Sequence, residues 1–328
     1  MADLRTTYMG VPLANPIVVG SSSLSKSIDN IKRLEQAGAG GLVVKSLFEE
    51  QIQLEEEEFR TRLGDLEPGF AEAVSMFPKM EHGGPKQHLY WVEQARKAVK
   101  MPLFASLNCV SRLAWGDYAK QLEGTGVSGL ELNFYSPALD PEIAASDIER
   151  REISVLERVR AAVKIPIAVK LHPHYTSLMN VVSRMETAGA NGFVLFNRLL
   201  QPDIDVENLT RHSSVSLSAP SESLLPLRWV ALLHDRVKAD LIATTGIWSG
   251  QDVAKMVLVG AKAVQVVSAL YREQPGHIQK MLGELGSWMD AHGFANLDAF
   301  RGKLGQKQGT DAWSFARGQY IKALVGVE

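Results

Sequence analysis

The sequence predicts a (β/α)8 TIM barrel, an α/β fold, with long loops after the second and sixth strands. A glycine-rich turn that leads into an apolar run is repeated along the chain. Its copies lie at 38–45, 126–133, 189–196 and 260–267. A second phrase, Val-Lys or a close variant before another apolar run, lies at 99–106, 163–170 and, more loosely, 237–244. Because the two phrases alternate, with helical stretches between them, the chain has the order of a parallel α/β protein.

Eight strands follow in order from this pattern. The predicted strands are 16–21, 41–46, 102–108, 129–134, 166–172, 192–197, 240–246 and 263–268. The runs are apolar and rich in β-branched residues, as buried parallel strands are, and the glycines of the first phrase are suited to end the preceding helices. Eight such strands favour a closed barrel. An open doubly wound sheet is the alternative, but it usually has fewer strands and a G-x-G-x-x-G turn after the first one, which is absent here.

One barrel domain is predicted for residues 1–304, followed by a C-terminal extension of unknown role at 305–328. Two connections, 47–85 and 198–222, are longer than ordinary loops between a strand and a helix. Both leave the carboxyl end of a strand, so we expect them to lie over the catalytic face as candidate lids.

The composition excludes several classes of protein. Of 328 residues, 45% are hydrophobic and 22% charged, as in soluble globular proteins. A formal net charge of -2 gives no electrostatic footprint for nucleic acid or an anionic membrane. The lone cysteine, Cys109, rules out an internal disulfide and suits a reducing cytoplasm. No apolar run approaches the roughly 18–20 residues of a membrane span, so we expect a cytoplasmic protein.

The predicted strands end in residues that no folding argument requires. They are Gly20, Ser21, Lys45, Ser46, Ser106, Asn108, Asn133, Ser136, Lys170, His172, Asn197, Thr245, Gly246 and Ser268. Lys45 and Lys170 end apolar runs, and a buried ammonium is costly unless it meets an anion or an electron-rich ring. For either lysine alone, a salt bridge to a neighbouring carboxylate is the alternative. Asparagine donates and accepts hydrogen bonds at once, which suits the edge of a heterocycle.

The ends of the seventh and eighth strands are where such barrels usually bind phosphate. There the sequence predicts a tight turn with Ser249 as a helix N-cap, whose free amides would face an anion; an ordinary capped loop is the alternative. We interpret His172 as a loop residue that forms hydrogen bonds rather than as a base. No cluster of His, Cys, Asp or Glu has the spacing of metal ligands, so no metal site is expected.

Taken in order, the strand ends resemble those of the dihydroorotate dehydrogenase family of FMN-binding barrels. The similarity runs from about Thr7 to Leu304. Glu131-Leu132-Asn133-Phe134-Tyr135-Ser136-Pro137 resembles the family's catalytic loop, E-L-N-x-S-C/S-P. The other matching pieces are Gly10-Val11-Pro12-Leu13-Ala14-Asn15-Pro16, Val44-Lys45-Ser46, Ala168-Val169-Lys170-Leu171 and Thr245-Gly246-Ile247-Trp248-Ser249-Gly250-Gln251-Asp252. Each piece is weak alone, and their order and spacing together are specific.

The resemblance implies a role for each matching position. Ser136 stands where the family keeps its catalytic base, and Lys45 and Lys170 would contact the flavin ring, with Lys170 on the N1/O2 side. The remaining FMN contacts would come from Gly20, Ser21, Asn108, Asn133, Asn197, Thr245, Gly246 and Ser268. Asn133 and Asn197 would also reach the substrate. The implied reaction removes a proton from C5 of dihydroorotate while hydride leaves C6 for flavin N5. A serine needs a water or hydroxyl relay to act as this base.

Several positions depart from the family pattern. Ala138 and Lys79 stand where the family has substrate-binding asparagines, and Thr245 and Val267 stand where it often has glycine. A site that loses two amides should change its substrate, and Lys79 could pair with a substrate carboxylate. Serine in the catalytic loop usually accompanies a membrane-associated extension and quinone reduction, whereas this chain begins at the barrel.

The sequence therefore predicts an FMN-dependent dehydrogenase that oxidises dihydroorotate or a related small cyclic substrate. The expected partners are a soluble electron acceptor and a second copy of the chain in a homodimer. One alternative is a flavin barrel with another substrate, and another is a non-catalytic electron-relay or regulatory subunit. An aldolase or isomerase barrel with a Schiff-base lysine has little support, because Asn and Ser surround both lysines.

Overall fold

The computed structural model describes residues 2–48, 85–108, 115–134, 139–198, 203–212, 216–306 and 312–326. Eight parallel strands close into a barrel in which each strand pairs with the next in the chain and the last pairs with the first. These strands are β3 Ile17–Val19, β4 Gly41–Phe48, β5 Leu103–Asn108, β6 Gly129–Asn133, β7 Ile167–Leu171, β8 Gly192–Leu195, β11 Asp240–Thr244 and β12 Ala263–Val266. The predicted (β/α)8 barrel is confirmed, and all eight predicted strands are present.

Helices connect the barrel strands and pack outside them. They are α1 Ile28–Gln36, α2 Pro85–Ala98, α3 Trp115–Gly124, α4 Ala145–Ala162, α5 Leu178–Thr187, α6 Leu224–Leu233, α7 Gly250–Val259, α8 Ser268–Glu273, α9 His277–Ala291 and α10 Ala312–Val325. Gly260 ends α7 with a φ of 119°, and a Cβ there would lie 2.2 Å from the His234 ring. Glycine is therefore required at this helix end. No helix in the described part of the chain is long and apolar enough to cross a membrane.

A hairpin closes the amino end of the barrel. It consists of β1 Thr6–Tyr8 and β2 Val11–Leu13. The Tyr8 ring lies 5.2 Å from that of Phe104 inside the barrel, and the backbone N–H of Met9 donates to Asp240 at the start of β11 (2.7 Å). The innermost layer is apolar and includes Val18, Val43, Phe104, Ala168, Val194, Ile242 and Ala263. Because this end is filled, a ligand can enter the barrel only from the carboxyl ends of the strands.

The connection after β8 contains a hairpin that the sequence did not predict. Its strands are β9 Asp203–Asp205 and β10 Thr210–His212. The seventh barrel strand also ends earlier than the predicted 246, because Thr245 and Gly246 take positive φ angles of 79° and 71°. Such angles end a strand and start a tight turn. Most of the connection 47–85 lies outside the described residues. The assignment of 305–328 to an extension stays a prediction, and within it 312–325 form α10.

Candidate active site at the carboxyl ends of the strands

A cavity of about 290 Å³ opens at the carboxyl ends of β7, β8, β11 and β12. Six of the residues predicted for the site line it. They are Ser21, Lys170, Asn197, Thr245, Gly246 and Ser268. Ser216, Leu217 and Ser218, from the connection after β8, form part of its wall. This part of the long connection therefore borders the cavity at the carboxyl ends of the strands, and its role as a lid stays a prediction.

Three buried polar side chains form a network at the base of the cavity. Lys170 Nζ donates to Gln265 Oε1 at 3.3 Å and lies 3.8 Å from Glu131 Oε1. The Gln265 amide nitrogen donates in turn to Glu131 Oε2. Relative exposures are 9% for Lys170 and 1% for both Glu131 and Gln265. The sequence left two interpretations of Lys170 open, a salt bridge or a ligand contact. The structure is compatible with both, because Lys170 has a carboxylate partner and also faces a cavity.

Strand periodicity explains why Lys170 and Gln265 lie nearer the mouth than the apolar residues of their own strands. Side chains two residues apart point to the same side of a strand. Ala168 and Ala263 belong to the closed apolar layer, so Lys170 and Gln265 point inward one step nearer the mouth. Glu131 is the register partner of Ala168, which places the carboxylate one level deeper than the ammonium.

Two asparagines meet beside Lys170. Asn197 Nδ2 donates to Asn133 Oδ1 at 2.9 Å, although 64 residues separate them. Asn133 ends β6, where its register partners are Asn108 on β5 and Lys170 on β7. These four residues thus lie at one end of the barrel. Asn108 is 6% exposed, so its amide belongs to the interior of the mouth rather than to the outer surface.

Serine hydroxyls connect the first three barrel strands. Ser21 Oγ lies 3.1 Å from Ser46 Oγ, which lies 2.7 Å from Ser106 Oγ. Lys45, on β4 beside Ser46, is half-buried, and its backbone N–H donates to Ser25 Oγ (2.8 Å). Gly20 precedes Ser21, and a Cβ at Gly20 would approach Val267 to 2.8 Å and Gln265 to 3.3 Å. Glycine is favoured there because these two side chains pack directly against its backbone.

The far side of the cavity is rich in hydrogen-bonding hydroxyl groups. The Gly246 N–H donates to Ser218 Oγ at 3.2 Å, and both the N–H and the hydroxyl of Ser218 donate to Ser268 Oγ at 3.0 and 2.9 Å. Gly246 has no room for a side chain, because a Cβ would lie 2.4 Å from Ser223 N. Thr245 has a φ of 79°, an unfavourable angle for a β-branched residue.

The N-terminus of α7 does not present the free amides that one prediction placed there. Ser249 is the N-cap as predicted, and its Oγ accepts from the Asp252 N–H at 3.2 Å. The carboxylate of Asp252 accepts from the N–H groups of Trp248 and Ser249, and Glu284 accepts from Gly250 at 2.8 Å. Side chains of the protein already occupy these donors. The ordinary capped loop is therefore the correct interpretation of this turn.

His172 is placed as a loop residue that forms hydrogen bonds. Its Nδ1 accepts from the His174 backbone N–H at 3.1 Å, and its ring stacks on Tyr175 with centroids 4.0 Å apart. Burial lowers the pKa of His172 to about 4, and the nearby His174 contributes to this shift. The imidazole is therefore neutral at physiological pH, and the backbone donor already uses one nitrogen.

Four positions that matter for the chemistry lie outside the described residues. They are Ser136, Lys79, Ala138 and Cys109. The roles predicted for Ser136 as base and Lys79 as a substrate contact therefore stay predictions. Within the described residues, no group of three or more His, Cys, Asp or Glu side chains could hold a metal ion.

Sequence reasoning missed three residues of the site: Glu131, Gln265 and Ser218. For Glu131 and Gln265 a signal existed, because each is a polar residue within an apolar strand, and Glu131 also shares a face with the predicted site residue Asn133. Ser218 gave no such signal. It lies in an irregular connection, and only the folded chain brings it to Gly246 and Ser268.

A family model described as "Dihydroorotate dehydrogenase" matches residues 3–289. The chain belongs to the dihydroorotate dehydrogenase family. One relative, the catalytic subunit of dihydroorotate dehydrogenase B (NAD(+)) of Thermoplasma volcanium, is 24% identical over 315 residues, covering 92% of this chain and 98% of that protein. The corresponding subunit of Maridesulfovibrio salexigens is 27% identical over 308 residues, with coverages of 92% and 98%. Dihydroorotate dehydrogenase A (fumarate) of Limosilactobacillus reuteri is 27% identical over 304 residues, with coverages of 90% and 96%.

Proposed function

We propose that this member of the dihydroorotate dehydrogenase family is an FMN-dependent oxidoreductase. Its substrate would be dihydroorotate or a related small cyclic molecule, oxidised at a CH–CH bond. The observation that carries the proposal is the buried Lys170 ammonium at the wall of a cavity on the functional face, opposite a group of hydroxyl and amide donors. Bound FMN would supply a ring that accepts hydride at N5.

The residues of the cavity fit a ligand with an electron-rich ring and a phosphate. Lys170 would meet the ring, because a buried cation favours the part of a ligand that gains negative charge. Gly246, Ser218 and Ser268 would hold the phosphate through hydroxyl and backbone donors that now bond to one another. Gln265 and Val267 pack against Gly20 and line the cavity, so a flat ring could lie against them.

The other predicted roles follow from the same arrangement. Ser21, Lys45 and Asn108 would line the ring, and Thr245 would lie beside the phosphate. Asn133 and Asn197 hydrogen bond to each other, so each keeps amide atoms to offer a substrate on the open side. Such paired amides orient a cyclic amide substrate by donating and accepting at once.

We propose Ser136 as the base that removes the substrate proton, with Lys45 acting electrostatically beside the flavin. A free serine hydroxyl is too weak a base for this step, so the proton must leave through a relay of water or hydroxyl groups. The connected hydroxyls of Ser21, Ser46 and Ser106 support the presence of such groups at the same end of the barrel.

A related substrate other than dihydroorotate is the second candidate. The supporting observation is the replacement of two expected asparagines by Ala138 and Lys79. A lysine at the site would favour a substrate with an additional carboxylate, whereas the lost amides would weaken recognition of a cyclic amide. A non-catalytic relay subunit remains as a third candidate. A homodimer and a soluble electron acceptor, for which NAD+ and fumarate are the first to test, complete the proposal.

The test begins with the purified protein, which should be yellow or bind added FMN. Anaerobic dihydroorotate should then bleach the flavin absorbance. Ser136→Ala should abolish this bleaching and leave FMN bound, while Ser183→Ala, a control on the exposed face of α5, should behave as wild type. Bleaching by dithionite but not by dihydroorotate would favour the second or third candidate. A protein that binds no FMN would refute the proposal.

A further inference from the structure

The two charged side chains at the base of the cavity, Lys170 and Glu131, are placed differently relative to the ligand space. Lys170 and Gln265 line the cavity, whereas Glu131 is 1% exposed and lies one strand level deeper than Lys170. The positive end of the ion pair therefore faces the ligand space, and the negative end is enclosed by the barrel. A buried ion pair of this kind is not needed for stability, because apolar residues of similar size often serve a core as well.

Gln265 connects the two charged groups. Its oxygen accepts from the Lys170 ammonium and its nitrogen donates to Glu131, so the amide is used at both ends. The Lys170–Glu131 distance of 3.8 Å is too long for a good hydrogen bond, and Glu131 Oε1 accepts no hydrogen bond from any described residue. Gln265 therefore holds the ammonium toward the cavity, short of full contact with the carboxylate.

We propose that Glu131 and Gln265 are positioning residues that set how strongly Lys170 favours the reduced flavin. This inference rests on the proposed FMN function. Gln265 fixes the place of the ammonium, and the Glu131 charge offsets part of the positive potential that the ammonium produces in the cavity. The reduced flavin carries more negative charge at its N1/O2 side than the oxidised flavin, so this potential acts on the reduction equilibrium.

The two positions predict shifts of opposite sign. Glu131→Gln keeps an acceptor for Gln265 but removes the negative charge, so the potential in the cavity becomes more positive and reduced flavin is favoured. Gln265→Met keeps the length of the side chain but removes the bridge, so Lys170 can close on Glu131 and withdraw from the cavity. Reduced flavin is then disfavoured. Each change should alter the reduction equilibrium about tenfold, which is about 30 mV for a two-electron couple.

The experiment measures the midpoint potential and FMN dissociation constant of the holoprotein and its variants. At pH 8, above the raised pKa of about 7 for Glu152, Glu152→Gln is the matched control, because there it also neutralises a buried carboxylate but on α4, outside the barrel. We expect a higher potential for Glu131→Gln, a lower one for Gln265→Met and no change for Glu152→Gln. If Glu131→Gln does not fold, the midpoint potential of Gln265→Met tests the inference alone. A potential below that of the wild type supports it, and an unchanged or higher one overturns it.

The outcomes separate this inference from the proposed function. FMN-bound variants that keep the wild-type potential, or that shift in the same direction, would overturn the inference and leave the flavin function intact. Weaker FMN binding without a change in potential would give the network a structural role only. A wild-type protein that binds no FMN would overturn both.

Discussion

At the scale of single residues, Glu152 is a carboxylate held in an unusual environment. It lies on the buried side of α4 and is 6% exposed. Its Oε2 accepts from the Tyr175 hydroxyl at 2.6 Å, while Oε1 accepts no hydrogen bond within the described part of the chain. The pKa of Glu152 is raised to about 7, chiefly by burial; the Tyr175 hydrogen bond opposes this shift and the nearby Glu149 charge contributes to it. The folded protein therefore favours the protonated form.

This shift predicts a pH-dependent stability. Because the folded pKa is raised, its contribution to the free energy of unfolding is complete below about pH 4.5 and is lost as the pH rises through about 7. Glu152→Gln has no titrating group at this position. Its free energy of unfolding should therefore change less between low and high pH than that of the wild type, by up to about 3 kcal/mol. Urea unfolding of both proteins at pH 5 and pH 8 measures it, and the variant should gain relative stability at pH 8.

The matching control is Glu142→Gln, which changes an exposed carboxylate. It should leave the difference between the two pH values as it is in wild type. An equal effect of the two substitutions would mean that the burial of Glu152 does not govern this part of the pH dependence.

Lys170 shows which properties of a single residue can be predicted from the sequence and which cannot. An ammonium at the end of an apolar strand predicts a buried cation, and strand order predicts which end of the barrel holds it. Its partners cannot be deduced in the same way. Gln265 lies 95 residues away, and its contact depends on the closure of β12 onto β3 and on the matching level of both side chains.

At the scale of elements, the barrel strands were predictable and the hairpin β9–β10 was not. Barrel strands are buried on both faces, so their sequences are continuous apolar runs between glycine and polar signals. The hairpin is short and its outer residues Ile204 and Leu209 are 59% and 86% exposed. Each strand has only three residues, too few for an apolar–polar alternation to distinguish it from a loop.

Two serines at the starts of helices have different expected roles. Ser249 caps α7 within a capping box with Asp252, whereas Ser268, the first residue of α8, bonds to Ser218 at the cavity. Ser249→Ala should lower the free energy of unfolding by about 1 kcal/mol and leave FMN affinity unchanged. Ser268→Ala should weaken FMN binding with a smaller effect on stability. Denaturant unfolding of the FMN-free proteins and FMN titration of both variants measure the two effects. Weaker FMN binding in Ser249→Ala would mean that the phosphate is bound at the turn before α7.

At the scale of the whole molecule, one end of the barrel is closed and the other carries the site. The hairpin β1–β2 and the apolar inner layer fill the amino end. Toward the carboxyl ends of the strands the inward positions become polar, with Ser106, Glu131, Lys170 and Gln265 all buried. Each polar group there costs stability unless it is satisfied, so this concentration of them toward one end indicates an end of the barrel shaped for a ligand.

Ligand binding at that end should stabilise the entire barrel, because the cavity wall draws on several strands and on the connection after β8. A ligand that binds only the folded state raises the free energy of unfolding by about 2.7 kcal/mol at a hundred times its dissociation constant. FMN should therefore raise the melting temperature in a concentration-dependent way. Riboflavin, which has the same ring but no phosphate, should give a much smaller rise, because it leaves the donors near Gly246 and Ser268 unused. Thermal scans with equal concentrations of the two ligands measure the difference. Equal shifts would mean that the phosphate is not held at this cavity.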